Sequence, residues 1–248
     1  MGLFTNEVRM GLGFAILGKD ENQMKYEFTG ETKKVGLFGN IIVRRIRATI
    51  AFGVVKAGDL GGWIEKEENL SQEGDAWVCG DARVYGNAWV YGNARVYGDA
   101  RVCGNAWVCG NARVCGNAWV YGDARVYGNA RVYGDARVYG NAGVYGDAEV
   151  YGDARVYGDA KVCGDARVCS DAWVLQVNHL LVIGPIGSRN SFTTFFRDKD
   201  KTISVKCGCF FGKIDRFIEK VQETHGDNKY ALVYRAVVEV AKAQIDLN

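Results

Sequence analysis

Seventeen valines spaced six residues apart, from Val78 to Val174, constrain the fold of this 248-residue chain more than any other feature. Most of the units have the form Gly-[Asp/Asn]-Ala-[Arg/Trp]-Val-[Tyr/Cys], and they follow one another without an insertion. Alanine and valine alternate with larger residues, which is the period of a half-buried β-strand. Glycine followed by Asp or Asn is typical of a turn. Because six is an even number, the alternation stays in phase, and the sequence predicts a coil of short strands with alanine and valine inside.

The charge balance limits the kinds of partner that the chain can attract. Lys and Arg total 31 against 29 Asp and Glu, so there is almost no net field, and we expect no stable nucleic-acid duplex as a partner. Any recognition of anions must come from local placement of charge. The apolar stretch from Met10 to Leu17 is about half as long as a membrane span, so we expect no membrane segment and a cytoplasmic location.

The unit Val-Tyr-Gly-Asp-Ala-Arg resembles the hexapeptide-repeat superfamily, whose pattern is aliphatic, x, x, x, small, x. This resemblance implies a left-handed parallel β-helix with three hexapeptides in each coil. The calcium-binding β-roll also uses Gly and Asp, but its period of nine excludes it. We predict an all-β-dominated chain with a β-helix over residues 75–175. An N-terminal β cap (25–74) and a small C-terminal α+β domain for capping and oligomerisation (176–248) flank it, and residues 1–24 are expected to be a disordered extension.

The regions around the repeats contain candidate elements of their own. Trp63 and Ile64 are expected to close the open edge of the solenoid, which otherwise exposes unpaired strand groups. Periodicity predicts strands over Ile41 to Val55, Leu180 to Ile186, Ser191 to Phe196 and Thr202 to Lys206, and helices over Lys213 to Glu223 and Lys229 to Ala243.

One predicted face of the coil carries a column of arginines. With eighteen residues in each coil, Arg95, Arg113 and Arg131 lie above one another, about 4.8 Å apart, without an intervening acid. Tyr97 and Tyr133 lie beside them. Because guanidinium groups match phosphate and aromatic rings stack on bases, these five residues predict a binding ladder for a phosphorylated ligand. In the alternative interpretation, each arginine stacks on a neighbouring tyrosine and reaches corner acids such as Asp99 and Asp135.

A second face carries a candidate notch. Gly143 removes a side chain between Arg125 and Lys161, and Tyr127 and Tyr145 border the gap. The gap is either a ligand pocket, or room for a packed neighbour, or drift of the repeat.

Two tryptophans on this face favour a contact between subunits. Trp89 and Trp107 lie one above the other and are not expected to stay exposed to water, because aromatic residues are enriched at interfaces. We therefore expect a homo-oligomer, either a trimer or a dimer.

The sequence offers few candidates for catalysis. Many hexapeptide-repeat proteins are acyltransferases that use a histidine and a loop extruded from a coil, whereas both histidines here, His179 and His225, lie beyond uninterrupted repeats. Cys207 and Cys209 would complete a set of four zinc ligands with them, but the scattered spacing is unlike a zinc module. We therefore expect no enzymatic activity, cofactor or metal.

The flanking segments suggest a biological setting. Residues Ala57 to Val78 and Ile186 to Ala231 resemble segments that flank such repeats in phage and prophage proteins. Together with the ladder, this resemblance implies a phage-encoded, non-catalytic binding protein in the cytoplasm of an infected or lysogenic bacterium. Its expected ligand is a phosphorylated nucleotide signal of host antiviral defence, cyclic or of another kind, which it would sequester. The alternatives are a structural or protein-binding rod and a hexapeptide acyltransferase.

Overall fold

The computed structural model describes residues 23–36 and 38–248. The expectation of a disordered extension over residues 1–24 lies almost wholly outside these ranges. The repeats form seventeen two-residue strands, β4 to β20, which follow at six-residue intervals. They are Trp77–Val78, Arg83–Val84, Trp89–Val90, Arg95–Val96, Arg101–Val102, Trp107–Val108, Arg113–Val114, Trp119–Val120, Arg125–Val126, Arg131–Val132, Arg137–Val138, Gly143–Val144, Glu149–Val150, Arg155–Val156, Lys161–Val162, Arg167–Val168 and Trp173–Val174.

Each strand from β4 to β17 pairs in parallel with the strand eighteen residues further along the chain. Arg113, for example, lies between Arg95 and Arg131. The strands form three sheets, ordered β4-β7-β10-β13-β16-β19, β5-β8-β11-β14-β17-β20 and β6-β9-β12-β15-β18. The prediction of three hexapeptides in each coil is therefore confirmed, and the repeats form a parallel β-solenoid of about six turns.

The interior of the solenoid consists of alanine and valine. These two positions of every hexapeptide are at most 1% exposed. Backbone amides donate to carbonyls one coil further on, as Arg113 does to the Ala130 oxygen at 2.9 Å. At the corners the backbone turns so tightly that glycine is required: Gly104 has a φ of +70°, and a Cβ atom there would lie 2.9 Å from the Gly122 nitrogen.

The N-terminal region continues one sheet of the solenoid. Strands β1 (Tyr26–Val35) and β2 (Ile41–Ala48) are antiparallel, and β2 pairs with β3 (Leu60–Ile64). Strand β3 then pairs in parallel with β5, so Trp63 and Ile64 cover that edge as expected. The strand predicted over Ile41 to Val55 ends at Ala48 because the chain turns back near Gly53, whose φ is +51°. A 3₁₀ helix, Glu67–Asn69, leads to the first coil.

A buried lysine anchors the start of this region. The Lys25 Nζ atom donates to the carbonyl oxygens of Ala76 (2.9 Å) and Gly74 (3.4 Å), and its side chain is 2% exposed. Burial lowers the pKa of Lys25 to about 8, although the nearby Asp75 carboxylate opposes the shift.

The C-terminal region is a four-stranded antiparallel sheet packed against two helices. Its elements are a 3₁₀ helix (Val177–His179), β21 (Leu180–Ile186), β22 (Ser191–Arg197), β23 (Ile203–Cys207), β24 (Phe210–Lys213), α1 (Ile214–His225) and α2 (Lys229–Gln244). Phe196 joins the hydrophobic core of the solenoid. Within the described ranges, no helix is long and apolar enough to cross a membrane.

Candidate functional site on the outward columns of the solenoid

The predicted arginine column is present. We call Arg95, Arg113 and Arg131, on strands β7, β10 and β13, the arginine ladder; they are in register in consecutive coils. The next residue in this column is Glu149, whose carboxylate lies 3.7 Å from the Arg131 guanidinium and 3.9 Å from that of Arg167. Arg131 is therefore paired. In the part of the chain that the structure describes, Arg95 and Arg113 have no acidic group within 4 Å.

The tyrosines beside the ladder are separated by a cysteine. Tyr97 and Tyr133 lie two coils apart, about 9.6 Å at the usual strand spacing, and Cys115 occupies the coil between them. We call these three residues the tyrosine notch. Tyr133 stacks on Tyr151 below it, with ring centroids 5.0 Å apart and planes 2° from parallel. The notch therefore separates the Tyr97 ring from the stacked Tyr133 and Tyr151 rings by about the space of one ring.

Both phenols of the notch stay uncharged at neutral pH. A hydrogen bond with Cys115 is the main cause that raises the pKa of Tyr97, followed by burial. Burial and the Glu149 carboxylate raise the pKa of Tyr133. Neutral rings beside arginine cations suit a flat, anionic ligand.

The arginines of the neighbouring face are accommodated differently. Arg101 and Arg137 lie on opposite sides of Trp119, with their guanidinium carbons 4.7 Å and 5.6 Å from its ring centroids, and Arg155 lies 5.2 Å from Trp173. On this face each of these arginines lies in register with a tryptophan, and the cation–π interaction with the ring stabilises the guanidinium where no acid is present.

In the alternative interpretation, each arginine stacks on a tyrosine and pairs with a corner acid. The structure shows other partners, namely Glu149 and tryptophan rings, so this interpretation is wrong. Asp135 accepts a hydrogen bond from Asn117 at 3.0 Å, because corner amides donate to the residue one coil further on. Among the described residues, no ion pair joins a repeat arginine to a corner aspartate.

The second group of candidates lies on a different face. Gly143 is in register between Arg125 and Lys161, and a Cβ atom placed on it would meet only the Tyr145 ring, at 3.7 Å. Tyr127 and Tyr145 stack on each other with centroids 4.9 Å apart. The gap is thus open, but the ten predicted ligand-binding residues form two groups on two faces and not one site.

Trp89 and Trp107 lie on the face that carries Gly143. They are 39% and 40% exposed, and their rings meet edge to face with centroids 6.2 Å apart. Trp89 also stacks on Tyr91 at 4.1 Å. These rings form an exposed aromatic patch on one face of the solenoid.

The two histidines lie apart from the columns. His179 is buried, and its Nδ1 atom accepts a hydrogen bond from the Leu175 amide at 3.3 Å; burial lowers its pKa. His225 is the last residue of α1. The described residues contain no cluster of three His, Cys, Asp or Glu side chains that could hold a metal ion.

A family model described as the YdcK β-solenoid repeat matches eight overlapping segments of the chain, which together run from residue 76 to residue 146. The repeat region is a hexapeptide-repeat β-solenoid. Over 62 residues this solenoid protein is 39% identical to a protein of Escherichia coli (strain K12) named "Uncharacterized acetyltransferase YdcK". That match covers 25% of the chain and 17% of the relative, so the chain spans about a sixth of the length of the curated protein that it matches.

Proposed function

We propose that this solenoid is a non-catalytic binding protein, whose arginine ladder holds the phosphate of a ligand and whose tyrosine notch holds a flat ring of the same molecule. The observation that carries the proposal is the in-register pair of Arg95 and Arg113 without an acidic partner among the described residues. Like charges opposite each other across a ladder destabilise a sheet by up to about 1 kcal/mol. A bound phosphate would convert that repulsion into two charge-assisted contacts.

Two neighbouring arrangements support this interpretation, because they give other in-register arginines a compensating partner. Glu149 lies between Arg131 and Arg167, and Trp119 lies between Arg101 and Arg137. Arg95 and Arg113 have neither kind of partner. Within the described ranges, Arg83 also lacks an ion pair or a stacked ring, but its in-register neighbour Arg101 lies on Trp119. An in-register pair in which both arginines lack a partner favours an anion at that pair.

The proposed ligand class is a nucleotide, cyclic or otherwise. A base of this ligand would replace the ring that Cys115 omits from the column, and stacking of one base on an aromatic side chain contributes about 1–3 kcal/mol. Sequestration of a nucleotide signal of host defence by a phage protein is the role that we propose on the resemblance of the flanking segments. The geometry of the ladder supports the ligand class, and the flanks alone support the viral role.

Calorimetry with a panel of mono-, di- and cyclic nucleotides tests the proposal. Because a hydrogen bond to a charged group contributes about 1.5–3 kcal/mol, Arg113→Gln should weaken binding roughly tenfold or more. Arg137→Gln is the matched control, since this arginine lies on Trp119 on another face. If no nucleotide binds, or both variants bind like the natural protein, the proposal is wrong.

A protein-binding or structural rod is the second candidate, and the exposed Trp89 and Trp107 favour it. If the protein is such a rod, we expect another protein to co-purify with the chain. This partner should no longer co-purify with the Trp89→Ala, Trp107→Ala double variant. The ladder would then remain without a ligand.

Acyl transfer is the third candidate, because the partial relative is named an acetyltransferase. Turnover of acetyl-coenzyme A by the purified chain would establish it and overturn the non-catalytic proposal. The position of His179, buried and bonded to Leu175, gives no support to a general base on the repeats.

A further inference from the structure

The C-terminal domain contains a cavity of about 540 Å³ that is separate from the arginine ladder. It lies where the β21–β22 turn, the β23–β24 turn and the last turn of α1 meet. Its volume is within the range of small-molecule pockets, which is about 300–1,000 Å³. Its lining includes Arg189, Cys207, Phe210, Phe217, His225 and Tyr234.

One wall of this cavity is a continuous run of aromatic rings. Phe210 and Phe217 have centroids 5.2 Å apart, and Phe217 meets Tyr234 edge to face at 5.6 Å. The His225 ring stacks on Tyr234 at 5.8 Å. Phe217 and Tyr234 are buried in the core of the domain, so the wall is rigid and preformed.

The Tyr234 phenol, at the centre of the wall, is held in place and uncharged. Its oxygen lies 3.8 Å from the Cys207 sulfur, which accepts a hydrogen bond from Thr193 at 3.2 Å. Burial and Cys207 together raise the pKa of Tyr234 to about 12. Gly187 packs directly against this phenol at a φ of +72°, and any side chain there would collide with it.

The charge at the opening of the cavity has one sign. Its lining contains two cations, Arg189 and Lys220, together with several hydroxyl groups and no carboxylate. Lys220 contacts Glu223 at 3.0 Å on the outer side of α1. Arg189, in the β21–β22 turn, has no ion pair or side-chain hydrogen bond to another described residue, so its donors are free for a ligand.

We infer that this cavity binds a small aromatic molecule that carries one anionic group, a carboxylate or a phosphate. The anion contacts Arg189 and the surrounding hydroxyl groups, and the ring of the ligand packs on Phe210, Phe217 and Tyr234. This inference is independent of the proposed function, because the two sites share no residue.

The fluorescent aromatic sulfonate 1-anilinonaphthalene-8-sulfonate is a suitable probe, titrated into the full-length protein. We expect a saturable site from which benzoate or phenyl phosphate displaces the probe and from which neutral phenol at the same concentration does not. Displacement by benzoate alone or by phenyl phosphate alone distinguishes the two anion classes.

Two variants and a control locate the site. Arg189→Gln should weaken probe binding about fivefold or more, and Thr224→Phe, at an exposed position of α1, should block the opening. Arg137→Gln, which lies on Trp119 and outside both proposed sites, should leave probe binding unchanged. The inference is overturned if both C-terminal variants, shown to be folded by circular dichroism, bind the probe like the natural protein, or if only Arg137→Gln weakens it. Equal displacement by phenol would contradict the anionic character of the site.

Discussion

The Glu149 carboxylate lies 3.7 Å from the Arg131 guanidinium, one coil further along the same column. The carboxylate offsets the positive charge at the end of the arginine ladder, although the column continues to Arg167. The surface that is available to an anion is therefore limited to Arg95 and Arg113, with Arg131 at its boundary.

Removal of this carboxylate should extend the binding surface. In the Glu149→Gln variant the column from Arg95 to Arg167 contains no acid, so affinity for a phosphorylated ligand should increase severalfold. The free energy of unfolding should fall by no more than about 1 kcal/mol, since both arginines of the two ion pairs are about half exposed. Calorimetry and chemical denaturation measure the two effects. Weaker binding by this variant would contradict the assignment of the ladder.

The corner glycines should differ in their tolerance of alanine. At Gly104, alanine meets both an unfavourable φ of +70° and the Gly122 backbone at 2.9 Å, so Gly104→Ala should destabilise the protein by about 2 kcal/mol or more. Gly164 has a φ of +61°, but a Cβ atom there would have no neighbour within 4 Å, so Gly164→Ala should cost only about 1 kcal/mol. If urea denaturation shows the same loss of stability for both variants, the close approach of the coils at Gly104 contributes nothing to the cost of alanine.

Lys25 should make stability depend on alkaline pH. Its pKa is about 8 in the folded chain and near 10.5 when unfolded, so between these values the unfolded chain binds the extra proton. The stability of the natural protein should therefore rise with pH, relative to Lys25→Met, by on the order of 1 kcal/mol for each pH unit above 8. Urea denaturation of both proteins at pH 7.5, 8.5 and 9.5 measures this difference. If the free energies of unfolding of the two proteins change in parallel with pH, Lys25 is not desolvated.

The exposed aromatic patch should determine the assembly state. We expect the Trp89→Ala, Trp107→Ala double variant to dissociate, as measured by analytical ultracentrifugation. Trp119→Ala is the control, because that ring lies between Arg101 and Arg137 of its own chain. An unchanged mass in the double variant, or a natural protein that is a monomer, would rule out this interface.

The solenoid could be predicted from the sequence because the period of the repeat and the spacing of its coils indicate the same fold. The six-residue period determines which residues are buried, and the spacing of eighteen places Arg113 between Arg95 and Arg131. The composition of each outward column depends only on position along the chain, so it follows from the sequence alone.

Side-chain partners could not be predicted in the same way. The position of Arg131 in its column does not reveal whether it turns towards Tyr133 or towards Glu149, since both lie within reach. The C-terminal cavity was missed because Arg189, Cys207 and Tyr234 are far apart in sequence and meet only through two hairpin turns and the packing of α2. The Cys-Gly-Cys sequence at 207–209 lies in this turn, but it raised only the question of a zinc site, which its spacing does not favour, and gave no sign of a pocket.

Native mass spectrometry of freshly purified protein tests the binding account most directly, because it reports the mass of the oligomer and of any retained ligand together. We expect a small molecule of nucleotide mass on the natural protein and none on an Arg95→Gln, Arg113→Gln double variant of unchanged assembly. A natural protein that carries no small molecule and retains none after incubation with the nucleotide panel would contradict it.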